Sequence, residues 1–294
     1  MTLKILQFGA TGQLAREVIR AAPTAQVSVQ ALSRAEADVT DRDAVLGAIA
    51  ATDADLVLNA TAFSDVDGAE SRQTAAFAVN GAAPGFMAQA CAERGLPLIH
   101  VSTDSVFDGE KDGPYQEADP AHPISVYGAS KLAGEVAVLE RAPRSAVVRT
   151  SWLFSALGRN FLQIMLGLKG RPQVQVVADQ HARPTASADL ARFLLAAAPR
   201  WVDAREGDEA WGVTHFANAG AATRLEMARA IFGIAGGPAP ELVPTTTAAF
   251  NAIAARPVNA ELDCARLEAV FGVSPRPWRE ALAEVMADLR ETAA

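Results

Sequence analysis

Tyr127 and Lys131 are the residues whose types and spacing most clearly indicate chemistry. They stand four positions apart in the string YGASK, and residues at that spacing share one face of an α-helix. An ammonium group held beside a phenol favours the phenolate and lowers the phenol's pKa, which predicts a tyrosine that acts as general acid and base. In isolation such a pair is more often a simple surface contact, so the preceding segment decides between the two interpretations.

Thr103 stands at the end of an apolar run that closes with the string HVSTD. We expect this run to be a buried strand, and open α/β sheets bind their ligands at the carboxyl ends of such strands. The Thr103 hydroxyl can then hold a carbonyl oxygen together with Tyr127. With Lys131 these residues predict a reductase, in which a nicotinamide supplies hydride to carbon and Tyr127 supplies a proton to oxygen.

A glycine-rich turn follows directly on the first apolar run, Leu3 to Phe8. Its pattern is G-x-x-G-x-x-A, in which Ala15 replaces the last glycine of the usual dinucleotide fingerprint. The glycines let the backbone approach a pyrophosphate, and the following helix offers unpaired N–H groups to its charge. A tight turn without a ligand is the alternative, but the place in the first strand-to-helix connection favours binding. The predicted cofactor contacts are Gly9, Thr11, Gly12, Gln13 and Leu14, joined by Tyr127 and Lys131.

The end of the second predicted strand bears on which dinucleotide binds. NAD sites usually carry an acidic residue there for the ribose 2′-hydroxyl, whereas this chain continues with Ser33 and Arg34. These side chains suit a 2′-phosphate and favour NADPH, but Arg34 can equally be a solvated loop charge, so NADH stays open. Asp38 by hydrogen bonding and Val39 by packing are predicted to flank the adenine. After the third strand, Ala60, Thr61 and Ala62 are predicted to line the phosphates and ribose.

Short apolar runs alternate with helical patterns over the first half of the chain, which is typical of a doubly wound parallel (Rossmann) sheet in an α/β fold. After Arg149 the segments become irregular and rich in proline, which predicts a smaller C-terminal α/β substrate-binding domain. We assign residues 1–155 to the dinucleotide-binding domain, with 186–218 returning to it. Residues 156–185 and 219–294 form the predicted nucleotide-sugar-binding domain.

Composition narrows the class of protein. The 294 residues are half apolar and carry a net charge of −8 without a basic cluster, which disfavours nucleic acid as a partner. No stretch approaches the roughly 20 apolar residues of a membrane span, and glycines follow the N-terminus too soon for a secretory signal. Two cysteines form neither a disulfide framework nor a C-x-x-C metal site. These features predict a cytoplasmic enzyme without a membrane partner.

Longer strings resemble the extended short-chain dehydrogenase/reductases, and most closely the dTDP-4-dehydrorhamnose reductase family. They include GATGQLA, NATAFSDVDGAE, STDSVFDG, ISVYGASKLAGE, VVRTSWLF, VVADQHARPT and ARPVNAELD. The resemblance implies NADPH-dependent reduction of the 4-keto group of dTDP-4-dehydro-L-rhamnose, or of a closely related nucleotide-linked 4-keto-6-deoxysugar, with NADH as the other cofactor of the family. It places the chain in dTDP-rhamnose biosynthesis for cell-surface polysaccharide. It also implies a homodimer, and Mg²⁺ in some members, for which no ligands can be matched here.

The resemblance extends the site beyond the triad of Thr103, Tyr127 and Lys131. It implies that substrate contacts come from Ser64, Thr103, Asp104, Ser105, Trp152, Asn160 and Arg256, with Phe161 and Asp179–Gln180 nearby. Arg256 suits a diphosphate because its planar fork can bind two oxygens. Phe63 and Ser105 stand where the family usually has tyrosine, and His181–Arg183 replaces a glycine-containing turn. These departures leave the exact sugar, and the stereochemistry of its product, open.

Two other functions stay open at this point. A nucleotide-sugar epimerase of the same superfamily would share the triad, whereas a dehydratase is disfavoured because Ser105 removes the second carboxyl group after Thr103. A non-catalytic NAD(P)-binding regulatory subunit is the alternative from another class. The intact triad argues against it, and the altered Phe63 and Ser105 keep it open.

Overall fold

The structure is a computed structural model that describes residues 2–293. Its strands are β1 (Leu3–Phe8), β2 (Val27–Leu32), β3 (Leu56–Asn59), β4 (Leu98–Thr103), β5 (Ser145–Thr150), β6 (Leu153–Phe154), β7 (Gln173–Val177), β8 (His181–Ala182), β9 (Thr185–Ala186), β10 (Gly212–Phe216), β11 (Ala222–Thr223), β12 (Glu241–Thr245) and β13 (Asn259–Ala260). Its helices are α1 (Gln13–Ala21), α2 (Arg42–Ala51), α3 (Val66–Ser71), α4 (Gln73–Phe77), α5 (Ala83–Arg94), α6 (Val126–Arg141), α7 (Phe161–Gly167), α8 (Ser187–Asp203), α9 (Arg224–Ala235), α10 (Thr247–Phe250), α11 (Ala265–Phe271) and α12 (Trp278–Ala293).

The central layer is a parallel sheet of six strands in the order β10-β5-β4-β3-β1-β2. Its inner strands are short and apolar because helices cover both faces, as in β3 and β5, which are buried along their whole length. The strand order reverses between β1 and β3, and ligands of open α/β sheets bind at the carboxyl edge beside such a point. The predicted doubly wound α/β fold is confirmed.

The chain leaves this sheet after β5 and returns to it with α8 and β10. Strand β10 pairs in parallel with β5, and α8 packs on α1 in the largest buried cluster, which includes Val18, Leu194 and Trp201. The intervening and following segments build a second, smaller apolar cluster around Phe154, Ile231 and α12. The domain boundaries near residues 155, 186 and 218 stay a proposal.

The helical stretch between β3 and β4 is broken by a π-helical turn, Ala78–Ala82, between α4 and α5. Inside this turn, Asn80 Oδ1 accepts from Phe63 N (2.8 Å) and Asn80 Nδ2 donates to Ser130 Oγ (2.9 Å). A Cβ on Gly134 would lie 2.1 Å from the Asn80 carbonyl oxygen. The missing side chain therefore lets α6 approach the turn, which fixes α6 against the loop after β3.

Bilayer crossing demands a long and strongly apolar helix, and no helix within residues 2–293 meets that demand.

Candidate active site

Thr103 is the last residue of β4, so its side chain lies where the strand meets the carboxyl edge of the sheet. Its hydroxyl donates to Asp104 Oδ1 (3.0 Å) and accepts from Ser105 N (3.2 Å). These bonds start a short 3₁₀ turn, Asp104–Val106, in which Asp104 is buried. The sequence from strand to turn thus holds a hydroxyl and a carboxyl group side by side at this edge.

Helix α6 brings Tyr127 and Lys131 to the same edge. Ser125 caps the helix by accepting from Gly128 N (3.1 Å), so the helix begins immediately before the tyrosine. A Cβ on Gly128 would lie 2.1 Å from the Ser105 carbonyl oxygen. Only a glycine allows this approach, which presses the first turn of α6 onto the turn that follows Thr103.

The predicted lowering of the Tyr127 pKa is wrong for this structure. Burial, with a smaller contribution from the charge of Asp104, raises the pKa of Tyr127 to about 12, although the hydrogen bond with the Thr103 hydroxyl acts in the opposite direction. The Lys131 ammonium group is directed elsewhere, since Nζ donates to the Val101 carbonyl oxygen (2.7 Å). Tyr127 therefore keeps its proton at neutral pH, which is the state that a proton donor needs.

Lys131 is a buried cation, and no carboxylate among residues 2–293 is in contact with it. Burial lowers its pKa to about 8, and the charge of Glu135 partly offsets this effect. Its second neighbour is His100 Nε2, at 3.4 Å. Burial, with the charge of Lys131, keeps the pKa of His100 well below its usual value, so the imidazole is neutral.

An amide network fixes the tautomer of His100. Asn59 Oδ1 accepts from Thr61 N (3.0 Å) and Thr61 Oγ1 (2.7 Å), so the Asn59 Nδ2 group faces His100 Nδ1 at 3.0 Å and donates to it. The remaining imidazole proton then lies on Nε2, so the 3.4 Å contact with the Lys131 ammonium group joins two donors and is not a hydrogen bond. Sequence reasoning assigned no site role to His100, and its place one strand position before Val101 was the only signal.

The glycine-rich turn leaves room for a phosphate. Gly9 has a φ of +99°, and its Cβ would lie 3.2 Å from Thr61 Cγ2 and 3.3 Å from the Ala60 backbone. Gly12 caps α1 without a side-chain bond to the free N–H groups, and nothing lies within 4 Å of where its Cβ would be. Gln7, which sequence reasoning missed, secures the turn by donating to the Gly9 carbonyl oxygen (2.8 Å).

This cradle fits a dinucleotide phosphate because unpaired helix N–H groups face open space at the switch point of the sheet. The predicted contacts on β1 and α1 and those after β3 meet there, since Ala60 N donates to the Phe8 carbonyl oxygen (3.0 Å). Gln13, Leu14 and the 60–62 segment are thus on one edge with Thr103.

Ser33 and Arg34, which are predicted to bind the 2′-phosphate, each contact a nearby carboxylate in this structure. Glu36 accepts from both Ser33 N (2.8 Å) and Ser33 Oγ (2.7 Å). Arg34 Nε lies 3.0 Å from Asp38 Oδ2, and the Arg34 side chain is 85% exposed. Asp38 also accepts from Thr40, so its hydrogen bond to adenine, like the packing of Val39, stays a prediction.

Asp104 and Ser105 form a small polar cluster with Thr103. Ser105 Oγ donates to Asp104 Oδ1 (3.2 Å), whereas Asp104 Oδ2 is buried and has no hydrogen-bond partner within residues 2–293. Burial raises the pKa of Asp104, while the Ser151 and Thr103 hydroxyls oppose that shift. Asp104 is therefore a buried carboxyl group that lies among hydroxyl groups, next to Thr103 at the edge of the sheet.

The other predicted substrate residues differ in how free they are. Trp152 has a φ of +39°, a left-handed conformation that a residue of this size rarely adopts. Asn160 caps α7 and donates to the Ser155 carbonyl oxygen (2.9 Å), so its amide is engaged within the protein. Arg256 pairs with Asp67 (3.0 Å), and Ser64 is exposed in the loop after β3. Their contacts with substrate stay predictions.

Arg224 lies beside one of the predicted substrate residues, and sequence reasoning assigned it no role. It is the first residue of α9, and its guanidinium stacks on the ring of Trp152, with Cζ 3.5 Å from the ring centroid. The only sequence signal was an arginine directly after Thr223, which caps the helix. Among residues 2–293, no group of three or more His, Cys, Asp or Glu side chains could hold a metal ion.

Comparison with known proteins shows similarity to one family over almost the whole chain. Residues 3–291 match the family model described as the RmlD substrate binding domain. A dTDP-4-dehydrorhamnose reductase from Aggregatibacter actinomycetemcomitans is 36% identical over 291 residues, covering 97% of this chain and 98% of that protein. One from Streptomyces griseus is 41% identical over 282 residues, covering 95% of this chain and 91% of that protein.

Solved structures agree with the sequence relatives. A dTDP-4-dehydrorhamnose reductase from Clostridium acetobutylicum is similar, with a TM-score of 0.91, 33% identity, and coverage of 98% of this chain and 100% of that chain. One from Bacillus anthracis, solved in complex with NADP, has a TM-score of 0.90 at 29% identity, with coverage of 98% and 100%.

Proposed function

Because this chain belongs to the dTDP-4-dehydrorhamnose reductase family, we propose that it reduces the 4-keto group of dTDP-4-dehydro-L-rhamnose, or of a closely related nucleotide-linked 4-keto-6-deoxysugar, with NADPH. The observation that carries this function is the convergence of Thr103, Tyr127 and Lys131 on the sheet edge that also holds the glycine-rich turn. The product is the 4-hydroxy sugar, as in dTDP-rhamnose biosynthesis.

The chain's own residues perform the acid chemistry and the positioning. When bound, NADPH supplies the hydride that attacks the carbonyl carbon. Tyr127, whose pKa is raised to about 12, holds the proton that the developing alkoxide takes up. Thr103 presents its hydroxyl to the same oxygen from the end of β4, and the buried charge of Lys131, one helical turn from Tyr127, favours negative charge at this edge.

The family membership and the intact triad support reduction over epimerisation and over a non-catalytic role. Dehydration would need a second carboxyl group next to Asp104, where this chain has Ser105. A cytoplasmic location and a homodimer complete the proposal, and both rest on the family resemblance. Cys91 and Cys264 are free and buried, which suits a reducing compartment.

The experiment follows NADPH absorbance after purified protein is mixed with freshly prepared dTDP-4-dehydro-L-rhamnose, and identifies the product by NMR. We expect one NADPH oxidised for each 4-hydroxy sugar formed. NADPH binding without oxidation would favour the regulatory alternative, and inversion of the sugar without net oxidation would favour an epimerase.

A further inference from the structure

Arg224 is held in one orientation by aromatic rings. Its Cζ lies 3.5 Å from the ring centroid of Trp152 and 5.1 Å from that of Phe161. A capping box formed by Thr223 and Glu226 fixes the start of α9, and so fixes the backbone from which the side chain extends. Stacking on aromatic rings sets the plane of a guanidinium and leaves its edge N–H groups free to donate.

The Arg224 guanidinium has no polar partner in the protein. Within residues 2–293, no hydrogen bond or ion pair joins it to a side chain or to the backbone, although the side chain is partly buried. Arg149 and Arg276, by contrast, each make two-pronged contacts with a carboxylate. The Arg224 donors are therefore free to form charge-assisted hydrogen bonds with an anionic ligand that reaches them.

The backbone register places this guanidinium at the catalytic edge. Thr103 at the end of β4 is paired with Thr150 at the end of β5, and Trp152 comes two residues after Thr150. The ring of Trp152 therefore lies just beyond the strand end that adjoins Thr103. Its left-handed backbone, with a φ of +39°, is the kind of local strain that concentrates at ligand sites.

Two charged groups act on Arg224 from nearby. Burial lowers the pKa of Arg224 to about 9, the charge of Asp104 acts against this shift, and the charge of Arg256 adds to it more weakly. Arg256 is already paired with Asp67, whereas Asp104 forms no ion pair with Arg224 within 4.0 Å. Arg224 therefore stays charged at neutral pH, and its donor groups are not taken up by a neighbouring carboxylate within residues 2–293.

We propose that Arg224 is a substrate-binding residue, and that two of its N–H groups bind a pair of anionic oxygens on the diphosphate of the nucleotide sugar. The inference rests on the proposed function, since it takes a dTDP-linked sugar as the ligand of this edge. The oxygens belong to the diphosphate, because the fork of an arginine matches two phosphate oxygens and a 4-keto-6-deoxysugar carries no other anionic group.

Isothermal titration of the full chain saturated with NADP⁺ tests the inference with three ligands: dTDP, dTDP-glucose and dTDP-glucuronate. Loss of a charge-assisted contact in Arg224→Gln is expected to raise Kd about 10- to 100-fold. An equal rise for all three ligands supports contact between Arg224 and the diphosphate, and a rise for dTDP-glucuronate alone would contradict it. Arg224→Lys keeps the charge without the fork and is expected to fall between wild type and Arg224→Gln.

Arg279→Gln is the matched control, because Arg279 also stacks on a tryptophan, with Cζ 4.3 Å from the ring of Trp278, but is exposed. Equal Kd values in Arg224→Gln and Arg279→Gln for all three ligands would overturn the inference. Unchanged NADP⁺ binding shows that both variants are folded. The reductase activity of the wild-type protein would be unaffected by that result, so the proposed function would stand. A wild-type chain that binds NADP⁺ but none of the three ligands would contradict the proposed function itself, and this inference with it.

Discussion

Two buried charged residues lie one turn apart on α6, Lys131 and Glu135, and their partners differ. Glu135 accepts from the guanidinium of Arg149 through both carboxylate oxygens, and from Ser102 as well. Within the part of the chain that the structure describes, Lys131 Nζ contacts a backbone oxygen and the neutral His100, and no carboxylate. Lys131 and Glu135 are buried to the same extent, so the difference between them lies in whether an opposite charge contacts the side chain. The paired charges tie α6 to β4 and β5, whereas the unpaired cation stays available to a ligand.

Among the substitutions around Lys131, removal of the proton donor Tyr127 is expected to have the largest effect on activity. Tyr127→Phe is expected to lower kcat by roughly 10²–10⁴ while NADPH affinity and thermal stability stay near wild type, because only the donated proton is lost. Stopped-flow oxidation of NADPH and calorimetric binding measure the two quantities. Retention of most of the wild-type kcat would mean that another group protonates the oxygen.

The second tyrosine gives the opposite pattern and serves as control. Tyr115 is buried, and its hydroxyl donates to Asp108 (2.7 Å) while accepting from Gly109 N (2.9 Å). Tyr115→Phe is therefore expected to lower the melting temperature and to leave kcat close to wild type.

Loss of the Glu135–Arg149 ion pair is expected to lower the free energy of unfolding instead of the activity. Glu135→Gln leaves the Arg149 charge without its partner in a site where the two side chains are 2% and 5% exposed. Loss of one partner of a buried pair costs about 3–5 kcal/mol of unfolding free energy. Urea denaturation measures the loss, with Glu140→Gln, an exposed glutamate on the same helix, as the control. A Glu135→Gln protein as stable as Glu140→Gln would show that the pair contributes little.

The pH dependence of stability sharpens the comparison for Lys131. Its pKa of about 8 in the folded state lies below its ordinary value of 10.5. Between these values the unfolded chain holds a proton that the folded chain has released, so the free energy of unfolding rises with pH over this window, by at most about 3 kcal/mol. Lys131→Met should lack this contribution, and the difference between its urea stability curve and that of wild type isolates it. Parallel curves from pH 8 to 10.5 would contradict the prediction.

The sequence predicted those parts of the site that the backbone determines. Strand β1, its glycine turn and the spacing of Tyr127 from Lys131 are local patterns, and each corresponds to one structural element. The pKa of Tyr127 was predicted in the wrong direction because it depends on burial and on where the Lys131 ammonium points, which spacing cannot reveal. Arg224 was missed because its stacking partner, Trp152, lies 72 positions away in the sequence and meets it only in the folded chain.

Substitution of an exposed charge is expected to have the smallest effect on stability. It tests whether an ion pair contributes to stability only when it is buried. Arg34 is 85% exposed and pairs with Asp38, so the pair contributes little to stability. Arg34→Ala should leave the melting temperature unchanged and weaken NADPH about tenfold, the size of one charge-assisted contact to the 2′-phosphate. NADH lacks that phosphate and is the internal control in the same titration. Equal weakening of both cofactors would show that Arg34 does not recognise the 2′-phosphate, and that Ser33 or the backbone carries the preference.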